Sequence, residues 1–256
     1  MATLNRSLER GIAVLECFRP GISTLSHGDI SERTGLPKPT LTRLLRTLVS
    51  HGYLQHDTQQ RNYRPGLPLL SLAWTFTLGS ALCEATAPVI ERVARETQTI
   101  IGFGTVHQTD IVYLVACNGD PQRPDRHVGV GMRAPLLTTS VGRAYLAGLP
   151  LPERNAALSM LRATSRWQRD LRGELNVAFE RHRRDGMCLV QRNEGRQVAA
   201  GIALAVRGGP LHALGMGYRL PAGADPEVVP PRVLEGLAEL KATVLRFNES
   251  PVHAGV

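Results

Sequence analysis

Lysine is almost absent from this chain of 256 residues, which contains two, Lys38 and Lys241. A Gly-Lys-Ser/Thr phosphate loop is therefore excluded, and the eight histidines include no His-Glu-x-x-His zinc motif. The cysteines form no Cys-x-x-Cys pair, so their spacing indicates neither a disulfide framework nor a zinc site. They are Cys17, Cys83, Cys117 and Cys188. We predict buried, reduced thiols and, from these absences together, no catalytic site, no metal and no cofactor.

Long hydrophobic runs are also lacking. The longest uncharged run, residues 65–83, is interrupted by Pro68, Gly79 and several hydroxyl side chains, which makes it a poor membrane span. The first ten residues mix charged with apolar side chains and do not have the hydrophobic stretch of a signal peptide. We therefore expect a cytoplasmic protein that does not cross a membrane. Its 43% apolar and 20% charged residues are typical of one large or two small globular domains.

The net charge of +8 is densest at the amino-terminal end. Residues 1–64 contain nine Lys and Arg against five Asp and Glu, whereas the much longer remainder contains 21 against 17. Counterion release from phosphates supplies most non-specific nucleic-acid affinity, so a small basic unit is suited to binding a polyanion. Codon bias towards arginine is the alternative explanation for the positive charge. The charge therefore indicates nucleic-acid binding only if a sequence pattern supports it.

Residues 7–64 have the pattern of a winged helix-turn-helix. Apolar spacing predicts a first helix over 7–18 and a second over 25–34, closed by Gly35 in the left-handed turn that often follows a helix. A third helix begins near Pro39, whose missing N–H is harmless in a first turn. Gly52 ends this helix, and 53–56 and 61–64 are predicted to form a hairpin. In such a fold the third helix enters the major groove and the hairpin rests on phosphates.

The outer face of the third helix supplies the candidate DNA contacts. Its opposite face carries a leucine stripe at i, i+3, i+4 and i+7, which predicts burial in the core. The candidates at or near the bases are Lys38, Pro39, Thr40, Thr42 and Arg43. Three arginines are expected to hold phosphates without reading sequence: Arg46, Arg61 and Arg64. The alternative is a three-helix unit formed only for packing, with a solvated arginine face.

Several segments resemble the isocitrate lyase regulator (IclR) family of bacterial transcription factors. The resemblance is carried by Gly35-Leu36-Pro37-Lys38-Pro39-Thr40 within residues 29–40, and by residues 7–15, 43–48, 52–54, 63–66, 87–97, 111–114 and 135–144. It covers nearly the whole chain. It implies a winged helix joined by a helical linker to a ligand-binding domain similar to GAF and PAS folds. It also implies a homodimer or tetramer that binds palindromic double-stranded DNA.

We therefore expect three segments: 1–65 as a winged helix-turn-helix, 66–83 as a linker helix and 84–256 as an effector-binding domain. The linker is apolar on too many sides for an isolated surface helix, so something must cover it. Burial within the chain is one explanation. The resemblance favours pairing with a second copy, which also suits two DNA half-sites one duplex turn apart.

The segment beyond residue 84 has the pattern of an α+β domain. Strands are predicted over 99–106, 111–116, 198–206 and 211–218, with helices between 140 and 184 and a final helix over 233–247. This order favours an antiparallel sheet flanked by helices over strict βαβ repeats. The predicted fold class is therefore α+β, with the GAF/PAS-like form implied by the resemblance.

Hydroxyl residues precede the helix predicted near residue 140. Free N–H groups at a helix amino terminus attract carboxylates, although ordinary capping by Thr139 or Ser140 is the alternative. The resemblance implies effector contact, because the family's effector loop matches Thr138, Thr139, Ser140 and Val141.

Three more pocket positions follow from the resemblance. Gln197 stands where relatives often carry a small Cys or Ser, and Gly215 and Gly217 stand where some relatives place acid-binding serines. Losing those hydroxyls predicts a roomier, less polar pocket and favours an aromatic or larger organic acid. Gly201 stands where the family usually has proline, and the sequence gives no reason for that departure.

We predict a ligand-responsive, DNA-binding transcriptional regulator that senses a small organic acid, with an aromatic acid favoured, and controls a catabolic operon. A thiol-based redox-sensing regulator is the alternative, and it requires an exposed, acidic cysteine. A third reading is an enzyme with Cys117 or Cys188 as nucleophile, for which no local triad is found.

Overall fold

The computed structural model describes residues 5–124, 126–164, 171–192 and 196–249. They form two compact units that divide between Gly79 and Ser80. Each unit combines helices with antiparallel strands. The predicted α+β fold class is therefore confirmed.

The first unit packs three helices and a small sheet around one apolar core. Its elements are α1 (Arg6–Leu15), β1 (Leu25–Ser26), α2 (His27–Thr34), α3 (Lys38–Ser50), β2 (Leu54–Asp57), β3 (Asn62–Pro65) and α4 (Leu67–Leu78). The strand order is β1-β3-β2. Val14, Ile30, Leu41 and Leu45 are fully buried in the core shared by α1, α2 and α3. This arrangement is the winged helix-turn-helix that the helical spacing predicts.

The second helix begins two residues later than the sequence pattern predicts. Leu25 and Ser26 instead form β1, which pairs with β3. The Ser26 hydroxyl accepts a hydrogen bond from the Asp29 N–H at 3.2 Å, and the Asp29 carboxylate accepts one from the Ser26 N–H at 2.8 Å. This reciprocal capping box fixes the start of α2. Gly35 ends α2 with a φ of 64°, as expected for its left-handed turn.

The second unit is a six-stranded antiparallel sheet with helices on both faces. Its elements are α5 (Ala81–Thr97), β4 (Ile100–His107), β5 (Asp110–Asn118), β6 (Arg133–Pro135), α6 (Ser140–Gly148), α7 (Leu151–Arg162), α8 (Leu171–Asp185), β7 (Cys188–Arg192), β8 (Gln197–Ala205), β9 (Leu211–Arg219) and α9 (Pro231–Glu249). The strand order is β6-β5-β4-β9-β8-β7. Helices α5 and α9 cover one face through a core that includes Phe103 and Met216. Helix α6 lies on the other face, with α7 and α8 in the same cluster.

The predicted linker helix is interrupted near its end. Helix α4 ends at Leu78 and α5 begins at Ala81, because the Ser80 hydroxyl caps α5 by accepting a hydrogen bond from the Cys83 N–H at 3.3 Å. Within the described residues, no single helix has both the length and the hydropathy of a membrane span. Helices α4 and α5 meet those criteria only when taken together across the break.

A buried histidine in β9 predicts that the stability of the second unit depends on pH. His212 stacks on Phe103 with ring centroids 5.3 Å apart, and its Nδ1 lies 2.8 Å from the Pro210 carbonyl oxygen. Burial lowers the pKa of His212 below its usual value. In the unfolded chain the His212 imidazole therefore binds a proton near pH ~6.5, whereas in the folded chain it does so only at a lower pH. The contribution to stability is complete above that pH and is lost as the pH falls towards the folded pKa.

We expect His212→Phe, which keeps a ring against Phe103, to reduce the loss of stability between pH ~6.5 and the folded pKa. Calorimetric unfolding at several pH values measures this change. His51→Phe, at an exposed histidine of the first unit, is the control. Identical pH profiles for His212→Phe and the parent protein would contradict the prediction.

Candidate functional site

Helix α3 directs its predicted DNA contacts away from the core. Leu41 and Leu45 are buried on its inner side. Thr40 is half-buried, and the other α3 candidates are exposed: Lys38, Pro39, Thr42, Arg43 and Arg46. This division follows from the helical period, which separates an apolar stripe from a polar face. The exposed face is therefore available to a duplex.

The Thr42 hydroxyl is already engaged within the first unit. It donates to the Lys38 carbonyl oxygen at 2.9 Å and lies 3.1 Å from Nε2 of His27, the first residue of α2. Thr42 therefore links α2 to α3. Sequence reasoning missed His27, although the Ser-x-x-Asp capping signal from Ser26 to Asp29 places it at the start of a helix.

The two wing arginines occupy different local settings. Arg61 is exposed in the β2–β3 turn with a φ of 54°, an uncommon conformation for a residue with a side chain. The Arg64 Nε donates to Oε1 of Gln55 at 2.8 Å across the hairpin. Arg64 is thus held on the sheet surface, whereas the Arg61 side chain lies at the tip of the wing.

The second unit contains an open cavity of about 260 Å³ on the α6 face of the sheet. Six of the seven predicted effector residues line it: Thr139, Ser140, Val141, Gln197, Gly215 and Gly217. The seventh, Thr138, is exposed and lies outside the lining. Six residues from distant parts of the chain therefore line one cavity, and their role in binding an effector stays a prediction.

Gly201 and Gly215 let α6 approach the sheet closely beside the cavity, and Gly102 makes room for the Tyr113 ring. Gly102, Gly215 and Gly201 stand side by side on β4, β9 and β8, and we call them the glycine row. A Cβ on Gly201 would lie 2.3 Å from the Ser140 carbonyl oxygen. A Cβ on Gly102 would lie 2.4 Å from the ring of Tyr113. The presence of glycine rather than the family's usual proline at position 201 thus has a steric reason, since any side chain there would displace the first turn of α6.

Thr139 is the N-cap of α6. Its Oγ1 accepts a hydrogen bond from the Gly142 N–H at 3.1 Å and donates to the Pro135 carbonyl oxygen at 2.7 Å. The Thr139 side chain therefore serves as an ordinary helix cap, which was the alternative to effector contact. Ser140 and Val141 follow it, both buried and both lining the cavity. Anion binding at this helix end would rely on Ser140 and on backbone N–H groups.

The expectation of a less polar pocket is wrong. Five arginines line the cavity, none of which the sequence reasoning selected: Arg123, Arg126, Arg133, Arg192 and Arg219. His127, Tyr113 and Asp120 add further polar groups. The glycines do remove hydroxyls from the floor, but the strand ends and the loop after β5 surround the space with guanidinium groups.

The positive charges in this lining affect one another. Burial, followed by the charges of Arg123 and Arg192, lowers the pKa of Arg126. Burial also raises the pKa of Tyr113, so its hydroxyl keeps its proton at neutral pH. Arg133 differs from the other lining arginines in having an ion-pair partner, because its Nε lies 3.4 Å from the buried carboxylate of Asp110. The cavity is thus a cationic environment suited to an anion.

The cysteines do not have the properties of redox sensors. Cys17, Cys83 and Cys188 are buried, and Cys117 is partly buried. Burial raises the pKa of Cys188 to about 12 and raises the pKa values of Cys17 and Cys117 as well. Thiolate reactivity requires the opposite shift. Among the described residues, no group of three or more His, Cys, Asp or Glu is placed to hold a metal ion.

Comparison with known proteins assigns both units to one family. Residues 7–58 match the IclR helix-turn-helix domain, and residues 77–213 match the bacterial transcriptional regulator IclR C-terminal domain. The chain belongs to the IclR family of transcriptional regulators. It is 31% identical to the HTH-type transcriptional regulator TsaQ1/TsaQ2 of Comamonas testosteroni, over 79% of this chain and 73% of that protein. The IclR resemblance seen in the sequence is confirmed.

Solved IclR structures have the same fold. An IclR family regulator from Brucella abortus is 26% identical, with a TM-score of 0.77 and 94% of each chain covered. An IclR homolog from Microbacterium hydrocarbonoxydans, complexed with 4-hydroxybenzoate, is 22% identical with a TM-score of 0.71. This second match covers 95% of this chain and 99% of that chain, and it establishes similarity of fold.

Proposed function

We propose that this IclR-family chain is a transcriptional regulator whose affinity for DNA changes when a small organic acid occupies the cavity. The observation that carries the proposal is the cationic cavity on the glycine row, with the amino end of α6 at its floor. Residues 1–65 would bind DNA, 66–83 would link the units and 84–256 would bind the effector. By linkage, the acid must change DNA affinity by the same factor as DNA changes acid affinity.

An aromatic acid is the favoured effector class. The cavity volume of about 260 Å³ accommodates a small organic molecule, and the floor has glycines where serines would narrow it. The 4-hydroxybenzoate of the Microbacterium homolog is an aromatic acid bound within the same fold. The family's effector loop matches the α6 end of this cavity, so the carboxylate is expected there.

The DNA-binding role is tested by a gel shift on the intergenic DNA beside the protein's own gene. Salt is held constant, since phosphate contacts make affinity strongly salt-dependent. Aromatic and short-chain acids are added in turn. We expect sequence-selective binding that at least one acid strengthens or weakens. Equal affinity for random DNA with every acid would contradict the proposed function.

The exposed apolar surface of α4 predicts a homodimer. Six of its large side chains are more than half exposed: Leu67, Leu70, Leu72, Trp74, Phe76 and Leu78. Surfaces of this kind mark interaction sites, and a second copy of α4 would cover them symmetrically. We expect Trp74→Glu to convert a dimer into a 27.9 kDa monomer in sedimentation at micromolar concentration.

The matched control is Val177→Glu, which adds the same charge at an apolar residue of α8 that is 70% exposed. It should leave the sedimentation coefficient unchanged. A parent protein that sediments as a monomer, or a Trp74→Glu variant that stays dimeric, would contradict the α4 interface.

A further inference from the structure

The cavity has a cationic rim that is built by strand register. Arg192 of β7 pairs with Gln197 of β8, which in turn pairs with Arg219 of β9. All three side chains therefore project from the same face of the sheet, two residues beyond Gly217 along β9. Arg123 and Arg126 reach the same lining from the loop after β5. We call Arg123, Arg126, Arg192 and Arg219 the rim arginines.

Acidic side chains are scarce around the rim arginines in the described part of the chain. None of the four guanidinium groups forms an ion pair within the parts of the chain that the structure describes. Asp120 is the acidic residue in the described lining, and its Oδ1 accepts a hydrogen bond from the Gln122 N–H at 3.0 Å. Among the described lining residues, one carboxylate therefore faces four guanidinium groups, and its charge acts on Arg126.

Crowded cations favour a bound anion. Burial lowers the pKa of Arg126, and the charges of the nearby Arg123 and Arg192 lower it further. Like charges held close together raise the free energy of the empty site. An acid group placed among them would reverse that cost and form charge-assisted hydrogen bonds with planar guanidinium donors.

The rim and the floor lie at opposite ends of the cavity. Gly215 is beside Ser140 and Val141 at the floor, and Arg219 is four residues further along β9. At a rise of about 3.3 Å per residue, their backbones are about 13 Å apart. A single carboxylate held by the amino end of α6 therefore leaves the rim charge uncompensated.

Resting on the organic-acid function proposed above, we propose that the cavity selects dianionic organic acids. One acid group lies at the amino end of α6, and the second lies among the rim arginines. The uncharged middle of the molecule packs between them against Ile100, Val190 and Ala199, which share the row of Gly217.

Matched pairs of acids test this selection by calorimetry on the full-length protein. Benzene-1,4-dicarboxylate is compared with 4-methylbenzoate, in which a methyl group replaces the second carboxylate. Butanedioate is compared with butanoate as the aliphatic pair. We expect the dianion of at least one pair to bind about 10- to 100-fold more tightly than its monoanion.

Two charge-removing variants locate the second acid group. Arg219→Gln and Arg126→Gln should each weaken dianion binding by about tenfold and leave the affinity for the paired monoanion unchanged. Arg207→Gln is the matched control, because this exposed arginine lies beyond β8, at the opposite end of the β8–β9 hairpin from Arg219. Its affinities should equal those of the parent protein.

The outcomes separate this inference from the function on which it depends. If monoanions bind as tightly as their dianions, or if both variants weaken the two members of a pair equally, the dianion selection is wrong while the acid site stands. If no member of either pair binds, both the selection and the organic-acid function are overturned.

Discussion

Adding a single methyl group at Gly201 is expected to destabilise the second unit by about 2 kcal/mol and lower its melting temperature by about 4–8 °C. In Gly201→Ala the new Cβ would lie 2.3 Å from the Ser140 carbonyl oxygen and 2.8 Å from the Val141 nitrogen. These are backbone atoms, so no rotamer change can relieve the contact. Helix α6, which is buried from Ser140 to Ala147, must move away from the sheet as a body.

The same displacement would change the effector site, because Ser140 and Val141 form its floor. We therefore expect Gly201→Ala to weaken acid binding together with stability. Gly173→Ala is the control, since its added Cβ would have no neighbour within 4 Å apart from the local backbone of α8. Removing a helical glycine should stabilise the unit by about 0.5–1 kcal/mol. Calorimetric unfolding measures both variants. Equal melting temperatures for Gly201→Ala and the parent protein would mean that α6 does not rest on Gly201.

Helical periodicity predicted α1, α2 and α3 because each turns an apolar side towards one shared core. The leucines of α3 repeat at the spacing of a single face, and Leu41 and Leu45 are the pair that is fully buried. The strand β1 was missed because it is two residues long and has no alternation to detect. Its existence depends on pairing with β3, which is nearly 40 residues away in the chain.

In the second unit, the long strands β4, β5, β8 and β9 were predicted and the sheet-edge strands β6 and β7 were not. Strand β6 has three residues and ends at Pro135, and β7 has five residues that follow directly on α8. Both lie at the edges of the sheet, where each pairs with one neighbour. Short edge strands carry a weak periodic signal, so tertiary pairing rather than local sequence determines them.

The rim arginines show why the charge of the cavity could not be predicted. Arg192 and Arg219 are 27 positions apart, and they share a face only because Gln197 pairs with both. The sequence pattern predicted β8 and β9 but neither β7 nor this register, which sets the side of the sheet that each residue faces. Gly215 and Gly217 were identified because the family resemblance supplied their positions, which spacing alone does not provide.

Removing the Arg43 guanidinium is expected to weaken binding to the specific operator by about 10- to 100-fold, which corresponds to about 1–3 kcal/mol. Arg43 is exposed on α3, one turn beyond the Lys38-Pro39-Thr40 start of the helix. Since that face is expected to meet the base edges, Arg43→Ala should lose sequence discrimination and affect random DNA much less. Binding titrations on operator and random duplexes, repeated at several salt concentrations, measure the loss of operator affinity and the loss of affinity for random DNA.

Arg61→Ala should behave in the opposite way. Arg61 lies in the exposed turn of the wing, where a phosphate contact carries no sequence information. Its loss should weaken operator and random DNA alike and reduce the slope of log affinity against log salt by about one. Arg10→Ala removes the same charge from the exposed surface of α1 and shows how much of either effect comes from net charge alone. If Arg43→Ala and Arg61→Ala lose equal affinity on both duplexes, α3 does not read bases through Arg43, and the wing and the helix contribute only charge.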